Sequence, residues 1–376
     1  MNNAFFMERC LELAKKGLGY TYPNPLVGCV IVHKGKVIAE GWHKKAGSNH
    51  AEKEAILKVK DTSLLSNSTL YVNLEPCDHY GKTPPCTDLI LEMKIPRVFI
   101  GCLDQNKRVL GKGLKKLKAA GCEVEIGVLE SKCQKLNRRF FSFHQKKRPY
   151  VILKWAESVD GFIAPKESDQ EYFLTNLLSK QRVHQWRSQE QSIMIGVQTA
   201  LNDNPKLNTR LWKGKNPLPI VIDPHQRFLK SKEDFYLHQG KILTIKNKNQ
   251  TENNEHYPLT AQEILDQLYD KKLQSVIIEG GAKTLQYFID ADLWDEARIF
   301  VTKTKMKSGL KGPKIKRDLI YSTSKIKEDT LITLYKDSTI SKSDWGHLTG
   351  LLVALFKKAK VVDPLAISLS ISFMMV

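Results

Sequence analysis

Four residues constrain the fold of this chain most strongly, because together they supply the parts of a catalytic metal site. His50 and Glu52 lie two positions apart, and Cys77 and Cys86 follow further along the chain. A catalytic zinc ion typically takes three protein ligands and leaves its fourth position to water, whose pKa it lowers. We therefore expect His50, Cys77 and Cys86 to bind zinc, and Glu52 to transfer protons during the reaction.

The sequence around these residues predicts the elements that carry them. The pattern of residues 51–59 predicts a helix, which places His50 and Glu52 at its N-terminal end. Residues 70–74 have the pattern of a strand that leads directly to Cys77. Eight residues with one glycine and two prolines separate the two cysteines, so a loop can return Cys86 to the metal. The alternative is that both cysteines are ordinary buried thiols, but their joint occurrence with His50 and Glu52 argues against it.

The first part of the chain alternates helical and strand patterns, which is typical of an α/β sandwich. Besides the segments above, such patterns occur at 5–17, 27–32, 37–41, 98–101, 113–120 and 122–128. A basic stretch, Gln145-Lys146-Lys147-Arg148-Pro149, then interrupts the alternation. We predict a domain boundary there, between residues 1–147 and residues 148–338.

The second part contains strand patterns that are almost continuously apolar, which favours a parallel sheet covered by helices on both faces. These runs are 192–197, 218–223, 241–245 and 275–279, with an amphipathic helix at 179–189. After the last run, Gly280 and Gly281 turn the chain into a helix. Glycines and a helix N-terminus suit a phosphate group, although a tight turn is the commoner reading of a glycine pair.

Composition limits the possible partners. The 376 residues carry a formal net charge of +19, but the lysines are scattered, so we expect a solvated basic surface and no nucleic-acid partner. Seven cysteines and a polar N-terminus without a signal peptide favour the cytoplasm. Residues 339–376 form an unassigned tail, in which Lys357-Lys358 and Asp363-Pro364 interrupt the apolar stretch, so we expect no membrane span. We also expect a homo-oligomer.

Several motifs of this sequence resemble those of the riboflavin biosynthesis bifunctional deaminase-reductases. They are His50-Ala51-Glu52, Glu75-Pro76-Cys77, Gly81-Lys82-Thr83-Pro84-Pro85-Cys86 and Pro23-Asn24-Pro25-Leu26-Val27-Gly28-Cys29-Val30. The resemblance runs from residue 5 to residue 335. It implies an α/β protein, with an N-terminal cytidine-deaminase-like α/β/α sandwich and a C-terminal dihydrofolate-reductase-like α/β domain.

The same resemblance implies two activities. The first is zinc-dependent hydrolytic deamination of 2,5-diamino-6-(5-phosphoribosylamino)pyrimidin-4(3H)-one, and the second is reduction of the ribosyl group to ribityl by NADPH. It assigns the following residues to NADPH: Ala156, Phe173, Thr199, Asp203, Gly281, Ala282, Lys283, Thr284 and Leu285. It assigns these to the phosphorylated pyrimidine substrate: Asn24, Arg187, Leu207, Arg210 and Glu279. The two arginines would grip the ribose phosphate, since guanidinium matches phosphate oxygens well.

Two other hypotheses remain open from the sequence. A tRNA or nucleoside deaminase with an unrelated accessory domain would share the zinc chemistry but would not bind NADPH. A zinc-stabilised nucleic-acid-binding protein would need a closed site with four ligands, whereas three good ligands are in register here.

Overall fold

The computed structural model describes residues 2–80, 84–106, 109–165, 174–231, 235–247, 259–316 and 320–336. Residues 1–338 belong to one unit, which contains two large sheets. The predicted tail at 339–376 lies outside the described residues. Within the described ranges, every helix is too short or too polar to cross a membrane.

The N-terminal part is built on a five-stranded sheet in the order β2-β1-β3-β4-β5. Strand β1 is antiparallel to both β2 and β3, whereas β3, β4 and β5 run parallel. The elements are α1 (Asn3–Lys15), β1 (Gly28–His33), β2 (Lys36–Trp42), α2 (Ala51–Ile56), a 3-10 turn (Thr62–Asn67), β3 (Ser68–Leu74), α3 (Cys86–Glu92), β4 (Arg97–Cys102), α4 (Lys112–Ala119), β5 (Glu123–Ile126), α5 (Glu130–Leu136) and α6 (Arg138–Lys146).

Both faces of this sheet are covered, as the sequence predicted. Alternate residues of β1 point to opposite faces. Ile31 packs in one apolar cluster with Ala55 of α2 and Ile90 of α3. Val30 packs in the other, with Met7 of α1 and residues of α5 and α6. The result is an α/β/α sandwich in which α2, capped by His50, and α3, which begins at Cys86, lie on the same face.

The C-terminal part is built on an eight-stranded sheet in the order β10-β9-β8-β11-β6-β12-β15-β14. The first six strands in this order, from β10 through to β12, run parallel to one another. Strand β15 pairs antiparallel with β12, and β14 pairs antiparallel with β15 at the edge of the sheet. The elements are β6 (Tyr150–Glu157), β7 (Phe162–Ala164), α7 (Leu177–Gln189), β8 (Ser192–Gly196), α8 (Val197–Asp203), β9 (Leu218–Ile222), α9 (Arg227–Lys230), a 3-10 turn (Tyr236–Gln239), β10 (Leu243–Ile245), α10 (Ala261–Asp270), β11 (Ser275–Ile278), α11 (Ala282–Asp290), β12 (Glu296–Val301), β13 (Leu310–Lys311), β14 (Ile320–Ile326) and β15 (Asp329–Tyr335).

Two clusters of buried side chains cover the faces of this sheet. On β6, Leu153 packs in the cluster that includes Leu265 of α10 and Phe288 of α11. Its neighbour Ile152 packs in the cluster on the opposite face, which includes Trp186 of α7. A strand buried on both faces has no polar side to alternate with, which explains the continuous apolar runs in the sequence.

The structure adds elements that the sequence patterns did not predict, among them helices α3, α5, α6 and α8 to α10 and strands β7 and β12 to β15. It also shows that the basic stretch near the predicted boundary is anchored. Arg148 is 7% exposed and makes two hydrogen bonds to the Asp295 carboxylate, at 2.6 and 2.8 Å. Lys146 contacts the same carboxylate at 2.9 Å. The predicted boundary therefore falls between α6 and β6, on a segment that ion pairs hold in place.

Candidate active sites

The three predicted metal ligands meet at one point between α2, α3 and the loop that follows β3. His50 is the N-cap of α2 and Cys86 is the first residue of α3. The His50 Nδ1 atom lies 3.4 Å from the Cys77 sulfur and 3.3 Å from the Cys86 sulfur, and all three ligand atoms lie within 4.8 Å of one another. Zinc ligands with bonds of about 2.0–2.3 Å are separated by roughly 3.5 Å in a tetrahedron, so this spacing fits zinc.

The charge states of the two thiols also fit a cation. Hydrogen bonding to Cys86, and to His50, lowers the pKa of the Cys77 thiol, whereas the bond to Cys77 and burial raise the pKa of Cys86. The two shifts are opposite because a second thiolate beside the first is disfavoured. A divalent cation between the sulfurs removes this conflict and allows both to ionise. In the part of the chain that the structure describes, this cluster contains three ligands, which suits an open catalytic centre better than a closed structural one.

Glu52 lies two residues beyond His50, in the first turn of α2, and is 3% exposed. Burial raises the pKa of its carboxyl group to about 7, and the charged His50 ring acts in the opposite direction. The neighbouring Cys86 thiol also acts to lower the pKa of Glu52. The predicted proton carrier is therefore next to the predicted ligands and shielded from water.

Glu75, two residues before Cys77, fixes the loop that carries this ligand. Its buried carboxylate accepts hydrogen bonds from the backbone N–H groups of Asp104 at 3.3 Å, Gly111 at 3.0 Å and Leu114 at 3.2 Å. These bonds hold the N-terminal turn of α4 close to Pro76. The two segments are so close that a Cβ atom on Gly113 would lie 2.1 Å from the Pro76 carbonyl oxygen. The sequence motif contained Glu75, but only the structure shows the three amides that it binds.

Asn24 lies next to the metal cluster through His43, a residue that the sequence analysis missed. The His43 Nδ1–H group donates to the Asn49 carbonyl oxygen at 3.0 Å, so its Nε2 atom accepts from the Asn24 side-chain amide, also at 3.0 Å. Burial lowers the pKa of His43, which keeps the ring neutral. The His43 and His50 ring centroids are 5.6 Å apart. The amide of Asn24 is thus held in one orientation beside the metal ligands.

A second site occupies the carboxyl-end edge of the eight-stranded sheet. It is a cavity of about 1140 Å³, ample for a dinucleotide. Seven of the nine residues that the resemblance assigns to NADPH line it: Ala156, Thr199, Asp203, Gly281, Ala282, Lys283 and Thr284. Of the other two, Leu285 is fully buried in the core, and Phe173 lies outside the described residues.

Two glycine N-caps meet in this cavity. Gly196 precedes α8 and Gly281 precedes α11, and their strands β8 and β11 are neighbours in the sheet. The Gly281 N–H group donates to the Thr199 hydroxyl at 3.2 Å, and a Cβ on Gly196 would lie 2.5 Å from the Thr284 hydroxyl. Such close approach needs glycine, and the helix N-termini present amides and a favourable dipole to the phosphates of a dinucleotide.

A buried charge cluster lies at the inner end of the cavity. Glu279 makes two hydrogen bonds to the Arg187 guanidinium, at 3.0 and 2.8 Å, and Lys154 lies 3.6 Å away. Burial tends to raise the pKa of Glu279, but Arg187 and Lys154 outweigh it and lower the pKa to about 2. Burial lowers the pKa of Lys154. The sequence offered a signal for Lys154, a charge within an apolar strand, but the sequence analysis gave it no role.

The remaining substrate residues occupy different places. Arg210 is exposed, and its Nη1 atom donates to the Asn208 side chain at 3.3 Å. Arg187 donates to the backbone carbonyl of the same Asn208 at 3.1 Å, so the two arginines share this neighbour. Leu207 is buried and lines a separate surface groove of about 600 Å³.

Comparison with known families assigns both halves of the chain. Residues 1–102 match the model of the cytidine and deoxycytidylate deaminase zinc-binding region. Residues 149–303 match the model of the RibD C-terminal domain. The two matches fall on the two sheets described above, and they confirm the predicted fold class of a cytidine-deaminase-like sandwich followed by a second α/β domain.

Curated relatives and a solved structure match most of the chain. The chain is 40% identical over 305 residues to the riboflavin biosynthesis protein RibD of Actinobacillus pleuropneumoniae, covering 75% of this chain and 78% of that protein. It is 35% identical to RibD of Aquifex aeolicus, covering 81% and 88%. The crystal structure of a diaminohydroxyphosphoribosylaminopyrimidine deaminase/5-amino-6-(5-phosphoribosylamino)uracil reductase from Thermotoga maritima superimposes with a TM-score of 0.77 at 36% identity, covering 89% of this chain and 98% of that one. The chain therefore belongs to the RibD family and is a zinc-dependent deaminase and NADPH-dependent reductase of riboflavin biosynthesis.

Proposed function

We propose that the N-terminal site removes the pyrimidine amino group of 2,5-diamino-6-(5-phosphoribosylamino)pyrimidin-4(3H)-one, and that the C-terminal site reduces the ribosyl group of the product to ribityl. The convergence of His50, Cys77 and Cys86 beside buried Glu52 carries the first assignment. The cavity with two glycine N-caps and the Lys154–Glu279–Arg187 cluster supports the second.

In the deaminase site, His50, Cys77 and Cys86 hold zinc. A zinc ion bound there supplies Lewis acidity that activates water near neutral pH. Glu52 transfers the proton of the nucleophile to the departing amine, because it is buried beside the ligands and cannot lose the proton to bulk water. Asn24 orients the ring of the substrate, since its amide nitrogen is engaged by His43 and its oxygen remains on the opposite side of the amide.

In the reductase site, the glycine turn before α11 and Thr199 hold the cofactor in the cavity. NADPH supplies the two electrons and the hydrogen for the reduction. Glu279 and Lys154 bind the ribosyl hydroxyl groups at the inner end, where their side chains are only 7% and 16% exposed. Arg210 contacts the phosphate of the substrate, because its exposed guanidinium retains donors, whereas Arg187 mainly holds Glu279 in place.

The test uses the purified, zinc-loaded protein with the diaminopyrimidine phosphate, with and without NADPH. Ammonia release in both reactions, and a loss of NADPH absorbance that depends on the presence of the substrate, would support the proposal. NADPH oxidation without any ammonia release would contradict the deaminase assignment. Absence of oxidation with the deaminated compound supplied directly would contradict the reductase assignment.

We also propose a reducing compartment, such as the cytoplasm, and a homo-oligomeric enzyme. All seven cysteines are free thiols, which supports the first part. Light scattering of the purified chain in solution tests the second part, and a monomer would contradict it.

A further inference from the structure

Three side-chain contacts connect the C-terminal domain to Tyr22 and Pro23 of the deaminase. The Gln274 side-chain amide donates to the Pro23 carbonyl oxygen at 2.7 Å. The Tyr22 hydroxyl lies 3.1 Å from the Ser275 hydroxyl and donates to the Gln189 carbonyl oxygen at 3.2 Å. Asn24, the proposed substrate residue, directly follows these two anchored positions.

The C-terminal side of this contact is rigid. The Gln274 N–H group donates to the Gln191 side chain at 2.7 Å, and its carbonyl oxygen accepts from the Tyr150 N–H group at 2.9 Å. Ser275 begins the central strand β11 and accepts from the Gln191 N–H group at 2.9 Å. Gln274 is 2% exposed, so its side chain is held by packing as well as by its hydrogen bond to Pro23.

The deaminase side passes this constraint to the active site. The Asn24 N–H group donates to the Thr21 carbonyl oxygen at 2.8 Å, which closes a short turn around the anchored residues. The side chain of Asn24 then contacts His43, which is edge-on to the metal ligand His50. The position of the Pro23 carbonyl therefore determines where the Asn24 amide lies relative to the metal ligands.

We propose that Gln274 is a positioning residue for deamination: from the reductase domain, it holds the Pro23 carbonyl and thereby places Asn24 for the substrate of the other domain. This inference rests on the proposed function. One consequence is that the deaminase site is complete only when the reductase domain is docked against it. Other contacts, such as Lys146 with Asp295, also join the two parts, so loss of the Gln274 contact alone leaves them attached.

The test compares Gln274→Met, which keeps the size of the side chain but cannot donate, with the control Lys146→Met, which removes a contact that does not involve residues 22–24. Deaminase kcat and KM are followed by ammonia release, reductase kcat and KM by NADPH oxidation with the deaminated substrate supplied, and zinc by elemental analysis. We expect Gln274→Met to lower the deaminase kcat/KM by about fivefold to tenfold, corresponding to the loss of one buried hydrogen bond. The reductase constants and the zinc content should stay at wild-type values, and the control should keep both activities.

Each other outcome is decisive. An unchanged deaminase kcat/KM, or an equal loss of both activities, would overturn the positioning role. If Gln274→Met does not fold, Tyr22→Phe replaces it and is judged by the same criteria, since it loses the contacts to Ser275 and Gln189. If the wild-type protein itself releases no ammonia, the proposed function fails, whereas an active wild type with an unaffected variant refutes this inference alone.

Discussion

Replacing Glu75 by glutamine should loosen the loop that carries Cys77. One carboxylate oxygen of Glu75 accepts the N–H groups of Asp104 and Gly111, and the other accepts that of Leu114. A glutamine can keep one oxygen for the first two amides, but its NH₂ group then faces the Leu114 N–H group. The variant therefore loses one hydrogen bond and the charge that strengthens the other two.

The magnitude follows from these three bonds. Hydrogen bonds to a charged acceptor contribute about 1.5–3 kcal/mol and neutral ones about 0.5–1.5 kcal/mol, and a buried unpaired amide costs about 1–3 kcal/mol. We expect Glu75→Gln to reduce the free energy of unfolding by roughly 3 kcal/mol and to speed the loss of zinc to a chelator.

Two quantities are measured for each variant. The first is the free energy of unfolding of the N-terminal domain in urea, and the second is the rate at which the protein releases zinc. The matched control is Glu123→Gln, which removes an exposed ion pair with Arg97 and should change stability by less than about 1 kcal/mol. A Glu75→Gln protein as stable as the control, with zinc retention like the wild type, would refute the assigned role of Glu75.

Three further outcomes follow from the two sites. Glu52→Ala should retain stoichiometric zinc and lose ammonia release, while NADPH-dependent reduction of supplied deaminated substrate continues; simultaneous loss of both activities would argue against independent sites. Lys154→Met should lower the reductase kcat/KM by about tenfold to hundredfold, because the ammonium beside Glu279 is lost, and leave ammonia release unchanged. The pKa of Glu279 lies at about 2, below its ordinary value of 4.5, so its contribution of about 3 kcal/mol is present above pH 4.5 and is lost as the pH falls towards 2. Unfolding free energies measured from pH 5 downward should therefore fall less steeply for Glu279→Gln than for the wild type, and parallel profiles would contradict this.

Local patterns predicted many of the elements well. The predicted strand at 70–74 is β3 (Ser68–Leu74), and the patterns at 27–32 and 37–41 correspond to β1 and β2. Alternating or continuously apolar runs identify such strands without knowledge of their partners. Helices α5 and α6 and the antiparallel strands β14 and β15 were not predicted. Polar and charged residues interrupt their apolar positions, so their burial depends on the elements that they pack against.

The sequence by itself predicted the metal chemistry, because a histidine and a glutamate followed by two cysteines already indicate the ligands and the proton carrier that we propose. Tertiary structure alone decided how these residues are supported. The Glu75 carboxylate meets amides up to 39 positions away, and Gln274 meets Pro23 across 251 positions. Such contacts leave no periodic pattern in the chain, since they depend on which loops the packed sheets bring together.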